Sequence, residues 1–261
     1  MCDLKQMKSI SDEDLFKDPP PREDCPICLL PMPYSPGEMG VRTVYQACCG
    51  KRLCYGCVLA SQDKMIKGNM KSWCPFCREP LFSSNKEQIK RLKSRMKVND
   101  ANAFHSLGDC YKVERVGLQQ NLKLSFEMYT RASELGSVHG HVGLSGLYSS
   151  GGGVEKDLYK AEYHMKMAAM GGSELARFHL GLIECGRGNT NHANKHFMIG
   201  AKSGDDNALK MIGRAYKNGQ VTKDEYAKAL RSFQSALGEM KSTQRERAVA
   251  SCVAQRSHHW R

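Results

Sequence analysis

The stretch Ala103-Phe104-His105-Ser106-Leu107-Gly108-Asp109-Cys110-Tyr111 carries a pattern, small-x-x-x-apolar-small-x-x-aromatic, that the chain then repeats. It returns as Gly140, Leu144, Ser145 and Tyr148, and as Ala176, Leu180 and Gly181 with Glu184 in the aromatic slot. A fourth copy is Ala208, Ile212, Gly213 and Tyr216, and the last slot advances by 37, 36 and 32 residues. Periods of that size mark an array of supersecondary units. Second patterns answer the first three copies: Ser125, Tyr129, Ala132, Gly136; Ala161, Met165, Ala168, Gly172; and Ala193, Phe197, Gly200, Gly204. The fourth answer keeps Ala229, Phe233 and Ala236 but lacks the closing glycine. Small residues let antiparallel helices approach closely, and larger apolar ones fill the gaps. A glycine after each second helix suits a left-handed cap. The expected fold is therefore mainly α, with a helical solenoid of about four helix pairs over 99–237. Tyr111, Tyr148 and Tyr216 are expected to pack in its core.

The repeats resemble Sel-one-like repeats, relatives of the tetratricopeptide array. The match is best at Gly151-Gly152-Gly153-Val154-Glu155-Lys156-Asp157, the Gly-x-Gly-Val-x-x-Asp connector of that family. A trace survives in Gly219-Gln220-Val221, and the third connector, Gly186–Asn191, is shortened. The resemblance implies a stack that binds a protein ligand.

Upstream of the repeats lies a second organising pattern. Of twelve cysteines, eight fall between Cys25 and Cys77: Cys25-Pro26-Ile27-Cys28, Cys48-Cys49, Cys54-Tyr55-Gly56-Cys57 and Cys74-Pro75-Phe76-Cys77. Cysteines two residues apart point both thiolates at one tetrahedral metal, and eight thiolates fill two closed four-ligand sites. No histidine lies in the stretch, so the donor set is all sulfur. Such sites are structural and favour zinc. A disulfide framework would need an oxidising compartment, and the N-terminus shows no secretory signal. Two zinc ions are the expected cofactors.

This segment, 25–78, resembles a RING finger in its all-cysteine form. The resemblance implies a cross-brace, with Cys25, Cys28, Cys54 and Cys57 on the first zinc and Cys48, Cys49, Cys74 and Cys77 on the second. Adjacent third and fourth ligands depart from the family's usual spacing. Lys51 stands where many members carry histidine, and a protonated lysine cannot ligate. By the same resemblance the finger docks a ubiquitin-conjugating enzyme and ubiquitin. Ile27, Trp73 and Pro75 match its apolar docking positions, and Arg78 its cationic bridge. The alternative function is a non-enzymatic zinc-binding adaptor.

The remaining segments are simpler. Residues 1–24 are polar, end in Pro19-Pro20-Pro21, and are expected as a disordered arm. A Pro36-Gly37 turn precedes a short strand near Val41–Tyr45, and 54–67 has helical composition. Ser84 and Glu87 are spaced as a capping box opening a basic linker helix, 84–98, with Ile89, Leu92 and Met96 on one face. Residues 238–261 form a basic tail ending near His258-His259-Trp260. The net charge is +12, yet there is no aromatic interleaving, so nucleic-acid binding ranks last among the functions weighed. No apolar run is long enough for a membrane span, and a cytoplasmic or nuclear location is expected. Neither a hydrolase triad nor a Gly-Lys-Ser/Thr phosphate loop is present.

Overall fold

A computed structural model describes residues 9–32, 43–81 and 84–258, with side chains through Ala250. The Pro36-Gly37 turn and His259-Trp260 lie outside these residues. A short helix, α1 (Asp12–Leu15), precedes a two-stranded antiparallel hairpin, β1 (Thr43–Gln46) and β2 (Lys51–Cys54), which runs into α2 (Tyr55–Lys67). Then follow α3 (Asn85–Met96), α4 (Ala101–Lys112), α5 (Leu122–Glu134), α6 (Val138–Ser150), α7 (Leu158–Met170) and α8 (Glu174–Gly186). The chain continues with α9 (Thr190–Lys202), α10 (Asp206–Lys217), α11 (Lys223–Met240) and α12 (Thr243–His258).

From α4 to α11 the helices pair as the repeats require. All but α9 start where a polar side chain takes an orphan amide. Asp100, Asn121, Ser137, Asp157, Ser173, Asp205 and Thr222 all accept from their helix's first turn, and Thr222 with Glu225 forms a full capping box. The small slots mark the close approaches. A Cβ at Gly181 would lie 2.5 Å from Phe197 Cε1, and one at Gly108 2.8 Å from Tyr129. Gly136, Gly172 and Gly204 have positive φ, which closes each second helix.

Two slots differ from their pattern. Glu184 is buried and accepts from Arg187 (3.0 Å) and Asn189 (2.7 Å), so a polar network fills the aromatic position. Tyr148 is buried as expected, but Tyr216 is 38% exposed and stacks on Tyr226 at 5.0 Å.

The ends of the chain depart from expectation in the same direction. Residues 10–22 are not a loose arm: Leu15 is buried against Ala168, Ala169, Ala176 and Leu180. The C-terminal segment, expected as a basic tail, is largely helical. Helix α11 ends at Met240, and α12 turns back to pack on α2. Polar segments find burial here because the solenoid and hairpin supply hydrogen-bond partners for them. The capping box at α3 is half formed. Ser84 accepts from Glu87 N (3.2 Å), while the Glu87 carboxylate pairs with Arg91 (3.0 Å). Lys86, Lys90, Lys93 and Lys97 on that helix face solvent, and Leu92 is buried.

Candidate metal centre

Two cysteine knuckles with the same backbone frame the site. In the first, Cys25 N donates to Leu30 O (3.0 Å), Leu29 N to Cys25 O (2.8 Å) and Met32 N to Glu23 O (2.9 Å). In the second, Cys74 N donates to Glu79 O (2.8 Å), Arg78 N to Cys74 O (2.9 Å) and Leu81 N to Ser72 O (3.0 Å). Both close with a non-glycine residue in the left-handed region, Leu29 (φ 56°) and Arg78 (φ 62°), and with matching bridges, Asp24 to Pro31 and Trp73 to Pro80. Each turn folds its two sulfurs to one side.

The hairpin and α2 supply the other four sulfurs. Cys48 and Cys49 sit in the β1–β2 turn, Cys54 ends β2, and Cys57 lies in the first turn of α2. The structure gathers Cys25, Cys28, Cys54 and Cys57 into one tetrad and Cys48, Cys49, Cys74 and Cys77 into the other, all sulfurs of each within 4.8 Å of one another. The Sγ···Sγ distances are 3.8 Å for Cys28–Cys54, 4.0 Å for Cys49–Cys74 and 3.5 Å for Cys48–Cys77. A tetrahedron built on metal–sulfur bonds of ~2.3 Å has edges of ~3.8 Å. The donor set and its spacing therefore fit a four-coordinate, thiolate-bound metal ion.

The electrostatics point the same way. Burial pushes the thiols of Cys48 and Cys49 up, the latter to about 11, and that of Cys57 to about 12. Cys25 goes the other way, to about 4, mainly because Cys54 hydrogen-bonds to it. Four crowded sulfurs thus share few charges on their own, whereas a divalent cation makes four thiolates favourable together.

Arg245 completes the first tetrad from α12. It is only 2% exposed. It donates to Cys28 Sγ (3.5 Å), Leu30 O (3.0 Å), Pro31 O (2.8 Å) and Met240 O (3.0 Å). Beside it, Cys57 Sγ lies 3.7 Å from Gln244 Oε1. A Cβ on Gly56 would meet the Arg245 backbone at 2.9 Å, so only glycine lets α12 so close. The sequence offered no signal for Arg245 beyond a basic residue in a basic tail. Among the described residues the second tetrad has no such cover. Its neighbour is a cleft of about 400 Å³ lined by Glu87, Lys90, Arg91 and Arg95.

The finger is also tied to the solenoid at its hairpin. Tyr45 donates to Asp100 Oδ2 (2.8 Å), which also accepts from Arg95 Nε (3.0 Å). Asp100 is the N-cap of α4, so one carboxylate joins finger, linker helix and first repeat.

The residues expected to meet a conjugating enzyme are divided between the two knuckles. Ile27 is 40% exposed and Arg78 is exposed, each on its own knuckle; Pro75 and Trp73 are half-buried, Trp73 through its bridge to Pro80. Two further exposed apolar side chains, Leu29 and Phe76, share those knuckles. Comparing the chain's halves at an offset of 49 residues would have found them, since Ile27 aligns with Phe76 and Leu29 with Arg78.

A family model described as Sel1 repeat matches residues 103–137, 139–173 and 207–237. Those three segments carry Sel1 repeats. The model passes over 174–206, yet α8 and α9 pair there as a repeat does, around Gly181 and Phe197. Such repeats suggest a protein-interaction or scaffold role. Among solved structures the chain is similar to a Sel1 repeat protein from Oxalobacter formigenes, at 27% identity and a TM-score of 0.49, over 57% of this chain and 63% of that one. It is also similar to a protective antigen of uropathogenic Escherichia coli strains that displays an SLR fold, at 17% identity and a TM-score of 0.46, over 62% of this chain and 39% of that one. The chain thus spans less than two thirds of either relative's length. No curated protein sequence matches it. Among the described residues no helix is long and apolar enough to cross a membrane.

Proposed function

We propose that the chain is a RING-type ubiquitin ligase whose two tetrads hold zinc and whose Sel1 repeats hold a protein partner. The observation that carries this reading is the interleaving of eight thiols into two tetrads, with Ile27 and Arg78 left on the outer surface of the knuckles. Closed four-sulfur sites leave no open position for substrate, so the zinc ions supply rigidity rather than chemistry.

The chain's own work is positioning. Ile27, Phe76 and Pro75 offer apolar contact to a conjugating enzyme. Arg78, a guanidinium on a fixed left-handed turn, can bridge enzyme and ubiquitin by charge-assisted hydrogen bonds. Holding the charged thioester near an acceptor amine lowers the barrier without a covalent intermediate on the ligase. Discharge of ubiquitin from a panel of conjugating enzymes tests it. Arg78→Ala should slow discharge ~10-fold or more at unchanged zinc content, the size expected from ~1.4 kcal/mol of lost transition-state positioning. Ile27→Ala should weaken docking and be rescued by saturating enzyme.

A second reading, a non-enzymatic adaptor, is favoured by the α12 clamp, through which Arg245 fastens the first knuckle to the body of the molecule. Absence of discharge with every conjugating enzyme would select it.

A further inference from the structure

The N-terminal segment occupies a groove that fits it incompletely. Leu15 is inserted among Ala168, Ala169, Ala176 and Leu180, with Ile10 and Phe16 packed beside it. Phe16 sits between His192 (ring centroids 5.3 Å) and His196 (4.8 Å), with Lys195 Nζ 5.0 Å above its ring. Two of the acidic residues around this pair meet a basic wall, Asp12 pairing with His192 (3.1 Å) and Asp18 with Lys202 (2.8 Å), while Asp14 pairs with the arm's own Lys17 (2.7 Å). So far the segment resembles a ligand seated in a pocket of opposite charge.

The floor of the groove is where the fit fails. Arg177, on α8, is 2% exposed and has no carboxylate partner among the described residues. Its Nη1 donates to the Leu15 carbonyl, while Nε and Nη2, both buried, have no hydrogen-bond partner among the described residues. The Nδ1 of His196 is orphaned beside it. A buried guanidinium with two idle donors costs free energy that a carboxylate, accepting both in parallel, recovers. The chain's own arm brings only a backbone carbonyl there.

We propose that this groove, between α7, α8 and α9, docks a short acidic segment of a partner protein. Such a segment carries an adjacent apolar pair equivalent to Leu15-Phe16 and a side-chain carboxylate that pairs with Arg177. Residues 10–18 are the resident competitor. Tethering raises the arm's local concentration, so a partner must make the better bond to displace it. The inference rests on the reading of the repeats as a protein-binding surface. It is independent of zinc and of ubiquitin transfer, so its failure would leave zinc content and discharge activity unchanged.

The test uses a fluorescein-labelled peptide of residues 9–18, Ser-Ile-Ser-Asp-Glu-Asp-Leu-Phe-Lys-Asp, and the full chain. Anisotropy should show at least tenfold tighter binding to a Leu15→Ala/Phe16→Ala chain, whose arm is released, than to the parent. A scan that places Glu at each peptide position in turn should yield a variant that binds at least fivefold tighter than the unchanged one, and Arg177→Met in the released chain should erase that gain. Equal affinity for parent and released chains would overturn the competitor, and a gain surviving Arg177→Met would overturn the ion pair. Should the released chain lose its helical signal, the parent answers instead. Millimolar unlabelled peptide, the tightest of that scan, should speed amide exchange within 10–18, and unchanged exchange would refute displacement.

Discussion

The two thiol tetrads are built from the same knuckle and placed in opposite surroundings. The first has three ligands with almost no exposure, Cys25, Cys54 and Cys57, and a buried arginine donating to the fourth. In the second only Cys74 is buried, Cys77 is exposed, and a basic cleft adjoins it. Ligand spacing therefore decides which sulfurs share a metal. How closely each tetrad is covered depends on what packs around it, here on a helix nearly two hundred residues away in sequence. The same asymmetry separates the knuckles: the covered one is anchored to the body through Arg245, and the open one leaves Arg78 exposed.

The largest effect should come from removing a buried ligand. Cys54 ends β2, and its amide donates to Cys25 Sγ at 3.4 Å. Cys54→Ala should abolish folding of the finger, because metal binding to such sites supplies about 10 kcal/mol or more of folding free energy. Since α12 rests on α2, its amides should lose protection too, while α4–α11 keep theirs. Cys77→Ala should cost one zinc and leave the first tetrad and α12 intact. Identical damage from the two variants, read by metal content and amide exchange, would break the comparison.

Arg245→Ala comes next. It leaves the Leu30, Pro31 and Met240 carbonyls without their shared donor, a loss of about 1–3 kcal/mol for each acceptor left unsatisfied. Chelator-driven zinc release should be biphasic in the parent, the second tetrad emptying first. In this variant the slow phase should accelerate and the fast one stay put. A lesion in the solenoid supplies the control. Gly181→Leu forces a side chain against Phe197, which is buried and has nowhere to turn, at a cost of about 1–3 kcal/mol. The melting temperature should fall with both release phases unchanged; a shifted phase would mean that metal retention is not local.

The smallest effect tests the shared backbone. Leu29→Gly and Arg78→Gly each relieve a left-handed residue and should change stability alike, by about 1 kcal/mol or less in the stabilising direction. Only the second should impair ubiquitin discharge. Unequal stability changes would show that the two knuckles are not equivalent even as backbone.

Much of this was legible in the chain because it rests on local chemistry. Paired cysteines, capping residues and small slots act over a few positions, and each carries its reason with it. The second-helix glycines fall at positive φ for that reason, and the run from Tyr55 to Lys67 is helical up to Gly68. What stayed hidden depends on distant partners. Arg245 and Arg177 read as ordinary surface cations, yet each is buried on backbone carbonyls supplied by segments more than 150 residues away in sequence. Glu184 breaks an aromatic pattern and could be explained only once Arg187 and Asn189 were seen to turn back onto it. The arm's burial follows from Leu15 and Phe16, two apolar residues in a polar stretch too short to show a period.

Native mass spectrometry of the reduced, purified chain asks whether the eight thiols form two metal sites. The spectrum should show two zinc ions per chain, with loss of the second preceding loss of the first as chelator is added. A chain carrying one zinc, or none with its cysteines paired as disulfides, would contradict the two sites.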